Sequence, residues 1–109
     1  MKAKVFASKL VEKTGTNDVY KIAEENGVSI IYENWYPVTI GEFERKTKTI
    51  RVNLRALENR GNDKSLEKKI IAHELGHFFA NDFNFDKKDE EAFAHEFAAN
   101  LISLAENID

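Results

Sequence analysis

His73 and His77 stand four positions apart in a strongly helical stretch, with Glu74 between them in the run His73-Glu74-Leu75-Gly76-His77. On an α-helix, side chains four apart lie one turn apart on the same face, so both imidazoles can aim at a common centre. Such a pair is half of a metal site. Glu74 sits about 100° round the helix, near enough to reach a water at that centre without being a ligand itself. The chemistry served by this HExxH spacing is metal-assisted hydrolysis, with the carboxylate as proton acceptor.

A hydrolytic zinc takes three protein ligands and keeps a further position open. The chain has no cysteine and three histidines, so the third donor must be His, Asp or Glu. Glu90, Glu91, His95 and Glu96 follow downstream. Glu91 is the best placed, because Ala94 and Ala98 share its helix face and are small enough for two helices to come close. His95 is the competing ligand. Glu90 and Glu96, with Lys87 and Lys88, read as a solvated face. The expected site is therefore His73, His77 and Glu91 around Zn²⁺, with Glu74 as the catalytic base; manganese or iron could use the same donors. Gly76 costs about 0.8 to 1 kcal/mol relative to alanine inside a helix, and either marks a close backbone approach or is merely tolerated.

The elements that must position these residues follow from apolar spacing and stop signals. Val5, Phe6, Leu10 and Val11 predict a helix from about Ala3 to Lys13, and a second helix runs from a Thr16 or Asn17 cap to Gly27. Val28 to Glu33, Val38 to Arg45 and Thr49 to Leu54 read as extended, giving a small antiparallel sheet of about three strands. Ile50 and Val52 face the core in this reading, with Arg51 and Asn53 wet. After the polar turn Asn59-Arg60-Gly61-Asn62-Asp63, Ser65 caps the HExxH helix. Ile71, Leu75, Phe78 and Phe79 cluster opposite its His73/His77 edge, which leaves that edge free for chemistry. A polar connector, Asn81 to Lys88, leads to a last helix from about Asp89 to Ala105. The fold class is α+β, in a single domain spanning residues 1–109.

Composition narrows the function. Apolar residues make up 42% and charged residues 32%, which is material for a packed core rather than a disordered tail. A net charge of −3 gives no basic footprint for nucleic acid. The glycine turn at Gly27 resembles the middle of a DNA-binding helix-turn-helix, but it runs into strand-like Ile30-Ile31-Tyr32. Ser8, Lys9, Glu12 and Lys13 interrupt any apolar run of signal-peptide length, and nothing approaches the roughly 20 apolar residues of a membrane span. A cytoplasmic protein with no membrane and no nucleic-acid partner is expected.

Three segments together resemble the ImmA/IrrE family of metallopeptidases: Val19 to Val28 followed by a strand, the hairpin from Ile40-Gly41-Glu42-Phe43 to Ile50-Arg51-Val52-Asn53, and HELGH followed by Glu91-Ala92-Phe93-Ala94-His95-Glu96-Phe97-Ala98. The resemblance implies a zincin-like layout, an HExxH helix followed by a glutamate-bearing helix, with the same ligand set and base. His95 stands where the family pattern has Asn, and no proline closes the last helix. Members often sit on phages and mobile elements and cut a partner helix-turn-helix repressor, so the implied partner is a regulatory protein substrate. A non-proteolytic regulator that keeps the zinc and binds a protein partner is the alternative. Thr49 to Asn53 reads either as the edge strand that would pair with an extended substrate or as an ordinary solvent-capped edge.

Overall fold

A computed structural model describes residues 2–61 and 63–106, with side chains as far as Ser103. Asn62 of the polar turn and the chain after 106 lie outside the described residues. In chain order the elements are α1 (Lys2–Thr14), α2 (Val19–Glu25), β1 (Ser29–Glu33), β2 (Gly41–Glu44), β3 (Thr49–Asn53), α3 (Leu54–Asn59), α4 (Lys64–Ala80) and α5 (Lys87–Glu106). The class is α+β, as the sequence implies. Two caps differ from those expected. Asp18 accepts from Tyr20 N to start α2, and Asp63 accepts from Ser65 N at 3.0 Å to start α4. In each case a carboxylate takes up a backbone N–H that the first turn leaves free.

The sheet is mixed, not antiparallel. β2 and β3 form the expected antiparallel hairpin, with Phe43 opposite Ile50, but β1 runs parallel to β3, with Ile30 opposite Ile50. The strand order is β1-β3-β2, so β3 is central and Thr49–Asn53 is not an edge. The cause is the loop between β1 and β2. It crosses the end of β3, and Asn53 holds it there: Asn53 Nδ2 donates to Thr39 O at 2.8 Å and Asn53 N donates to Ile40 O at 2.9 Å. Trp35 N also donates to Asn53 Oδ1, at 3.4 Å. The same Oδ1 accepts from Arg55 N and Ala56 N and so caps α3, a helix of which the sequence reading assigned only the ends, Leu54 to a strand and Asn59 to a turn. Asn53 is fully buried, where a wet position was expected. A buried amide with this many partners is satisfied rather than costly. Arg51 does face outward, gathering Glu33 and Glu44 at 2.5 and 2.9 Å.

α4 is the hub. β2 and β3 lie against one side of it, α5 against another, and α2 packs on its start. Ile70, Ile71, Ala72, Leu75 and Phe79 are buried together with Gly76, so less of this helix is free than a simple two-faced wheel predicts. Phe6 of α1 closes the far end of the core, its ring 5.1 to 6.0 Å from those of Phe79, Phe83, Phe93 and Phe97. Phe83 thus packs inward from a connector read as polar. Among the described residues, no helix is long and apolar enough to cross a membrane.

Two polar or steric devices seat α4. In its first turn, buried Glu67 accepts from Tyr20 OH at 2.5 Å and Tyr32 OH at 2.8 Å, joining α2 and β1 to the helix. Burial alone would raise the Glu67 carboxyl; the two phenols and Lys64 outweigh it and hold it below the usual carboxylate range. Burial and the Glu67 carboxylate push both phenols up. Further along, a Cβ on Gly76 would stand 2.6 Å from Ala94 Cα and 2.9 Å from Ala94 O of α5. Gly76 is therefore a backbone contact, the first of the two readings its sequence position allows.

Gly76→Ala should destabilise the protein by about 1–3 kcal/mol in urea unfolding, because forcing the helices apart outweighs the propensity gained. Unchanged stability would show that α5 can retreat at no cost. Tyr20→Phe should cost about 1.5–3 kcal/mol, the range for a hydrogen bond to a charged group. Its cost should shrink as pH falls through the depressed Glu67 pKa and the carboxylate is lost.

Candidate metal and hydrolytic site

One turn of α4 separates His73 and His77, whose ring centroids are 5.1 Å apart. From α5, Glu91 reaches both: Oε1 lies 2.8 Å from His73 Nε2 and Oε2 lies 3.0 Å from His77 Nε2. The three donor atoms fall within 4.8 Å of one another, and the group could hold one metal ion. The Gly76–Ala94 contact is what brings Glu91 this near, since it sits one turn before Ala94 on the face pressed against α4. Glu91 is the solvent-side member, 61% exposed against 27% and 18% for the histidines. His95 is exposed, its ring 6.5 Å from that of His73, and it is not in the group.

Glu74 lies beside these residues, 8% exposed, under the edge strand β2. Gly41 makes that possible. A side chain there would begin 2.6 Å from Ile70 Cγ2 and 3.5 Å from Glu74 Oε2, so the strand can lie close to α4 only where Cβ is missing. A cleft of about 340 Å³ opens between β2 and the two helices, floored by His73, Glu74, His77 and Glu91 and walled by Gly41, Phe43 and Arg45. Burial pushes the Glu74 carboxyl up to about 7; His77 pulls it down, and Glu91 and Glu42 push it further up. Burial also lowers the pKa of His73, aided by His77 and His95 and opposed by Glu91, which favours a neutral ring with a free lone pair.

The donors impose a condition of their own. His77 faces a carboxylate at each ring nitrogen, Glu90 Oε2 at 2.7 Å from Nδ1 and Glu91 Oε2 at 3.0 Å from Nε2. A neutral imidazole carries one N–H. With that proton donated to Glu90, the Nε2 lone pair meets the Glu91 carboxylate, and two acceptors facing each other need a cation or a second proton between them. The residues present therefore fit a divalent cation held by imidazole and carboxylate.

Every residue expected at the site is here: His73, His77 and Glu91 converge and Glu74 adjoins them. Glu90, Arg45 and Gly41 were missed. Glu90 was read as part of a solvated face, whereas it bonds His77 and accepts from Arg45 Nη2 at 2.7 Å. Burial would raise its carboxyl, but His77 and Arg45 outweigh that and lower it. Nothing local in the sequence marks Glu90 or Arg45. Gly41 did carry a signal, since a glycine inside a strand marks close approach. The candidate substrate strand also moves from Thr49–Asn53 to β2, the edge that borders the cleft.

In metal-free protein, Glu74→Gln should be stabilising at neutral pH. Native burial raises this carboxyl from 4.5 to about 7, so ionising it opposes folding: the penalty is absent below about pH 4.5, grows through that interval and is complete above about pH 7. Melting curves with chelator should show the variant above the parent at pH 8, with the gap closing by pH 5. A gap independent of pH would assign it to packing instead.

Comparison of the chain with family models, with curated proteins and with solved structures found no match.

Proposed function

We propose that this chain is a zinc-dependent endopeptidase of narrow specificity that hydrolyses a peptide bond in a cytoplasmic regulatory protein. The observation that carries the reading is the opening of one cleft onto both a His73–His77–Glu91 donor group and a buried carboxylate, Glu74. A non-proteolytic regulator needs the donors but has no use for Glu74.

In this reading His73, His77 and Glu91 hold the ion, a gluzincin-like set. Zinc there supplies Lewis-acid polarisation of a carbonyl and of water. Glu74 accepts a proton from the attacking water on a carboxylate oxygen and returns it to the departing amine nitrogen. Its position suits both transfers, because it lies on the floor of the same cleft as the three donors. The free edge of β2 offers backbone N–H and C=O groups to an extended segment, and Gly41 keeps that backbone close to Glu74. An extended segment implies a flexible or locally unfolded part of a protein. The HExxH helix followed by the glutamate-bearing helix makes the proposed layout zincin-like, and likeness of the motifs to the ImmA/IrrE family makes a helix-turn-helix repressor the proposed substrate class.

The test is co-expression of the parent and Glu74→Gln with a helix-turn-helix repressor as candidate substrate. The parent should deplete the repressor and yield two fragments. The variant should keep zinc but lose roughly 100-fold or more of the cleavage rate, the usual worth of a positioned proton acceptor. A repressor left intact by both proteins would shift the assignment to a binding regulator. Equal cleavage by both would remove Glu74 from its role.

A further inference from the structure

Glu90 uses both of its oxygens. Oε2 lies 2.7 Å from His77 Nδ1 and Oε1 lies 2.7 Å from Arg45 Nη2. Only 24% of its side chain is exposed and its bond to His77 is partly buried, whereas the Arg45 side chain is 48% exposed and its bond to Glu90 faces solvent. Successive residues of α5 thus grip one imidazole from two sides, Glu90 at Nδ1 and Glu91 at Nε2. Arg45 in turn follows directly on β2, and its Nε donates at 3.2 Å to the side chain of Asn81, which caps the end of α4. Its guanidinium therefore joins three elements: the end of the edge strand, the end of α4 and the start of α5. An exposed Arg–Glu pair alone would be worth little. Here the geometry is shared by two acceptors on different helices, and one of them continues to the ion site.

We propose that Arg45 and Glu90 are positioning residues that couple the free edge strand β2 to the metal site: Glu90 holds His77 with Nε2 turned toward the ion, and Arg45 fastens Glu90 to the end of β2. The proposal rests on the zinc reading given above. Donation of the Nδ1 proton to a carboxylate fixes the tautomer whose Nε2 carries a lone pair, and it makes that nitrogen a stronger donor. A shift of β2 that pulls Arg45 away frees Glu90 to turn from His77. The linkage runs both ways: an ion at the site holds the strand in place, and a segment docked on the strand tightens the hold on the ion.

The experiment measures zinc affinity by competition with a chromophoric chelator, and amide hydrogen exchange along β2 with and without zinc. The parent should bind zinc, and zinc should slow exchange in β2. Glu90→Ala should bind zinc about 10- to 100-fold more weakly, the usual worth of a carboxylate behind a ligating histidine. Glu90→Gln should lose less, because its carbonyl oxygen can still accept from Nδ1–H. Metal-free melting temperatures should fall modestly and about equally in the two variants while their zinc affinities differ, a split that a merely structural role would not give. Arg45→Ala should still bind zinc, but zinc should no longer slow exchange in β2. Zinc binding by Glu90→Ala as tight as the parent's would overturn the proposal, and so would a β2 response to zinc that persists without Arg45. A parent protein that binds no zinc would overturn the zinc reading itself, and this coupling with it.

Discussion

At Gly76 the backbone of α4 lies against the backbone of α5, closely enough that a Cβ would meet Ala94 Cα at 2.6 Å. The site depends on this approach. A glutamate side chain has a short reach, and Glu91 touches both histidines because α4 has no side chain at Gly76 to hold α5 away from it. The stripe of Ala94 and Ala98, both buried, serves the same end on the α5 side. The helical cost of the glycine is about 0.8 to 1 kcal/mol, and the packing of α4 between the sheet and α5 offsets it. The same argument explains why α4 is buried on most of its circumference: a helix that must touch a sheet and another helix has little surface left for water.

A second close approach is made on the sheet side. β2 reaches the cleft as an edge strand because the loop leaving β1 crosses the end of β3 and is pinned by Asn53. Without that crossing the β1–β3 pair could not be parallel, and β2 would have a different neighbour. Gly41 then admits the strand to the vicinity of Glu74. Two glycines, one in a helix and one in a strand, thus set the width of the cleft from opposite sides.

Charge completes the arrangement. Glu42, Glu74, Glu90 and Glu91 line one cleft with Arg45 as the guanidinium among them. Such crowding is unfavourable for ionised groups, and it is relieved in three ways: Glu74 tends toward its protonated form, Glu90 is matched by Arg45 and His77, and Glu91 is left at the solvent side between two imidazoles. The unrelieved excess of acceptors sits where the three donors meet. That is where a divalent cation has most to gain.

The chemistry-bearing residues were legible because they follow local rules. HExxH places two imidazoles on one helical face whatever the fold, and small residues around Glu91 mark a helix that packs closely. Helix spans were legible for the same reason, since a period near 3.6 is written in consecutive residues. What the sequence could not show was every feature created by residues far apart in the chain. The parallel β1–β3 pairing rests on a loop held by the Asn53 amide, α3 hangs on the same amide, and Glu90 looks like any exposed acid until Arg45 and His77 are brought to it. By itself, then, the sequence determined which side chains could do chemistry and which helices carry them. Tertiary structure alone decided which strand borders them and which charges support them, because strand order and ion pairing depend on contacts between distant segments that no local period encodes.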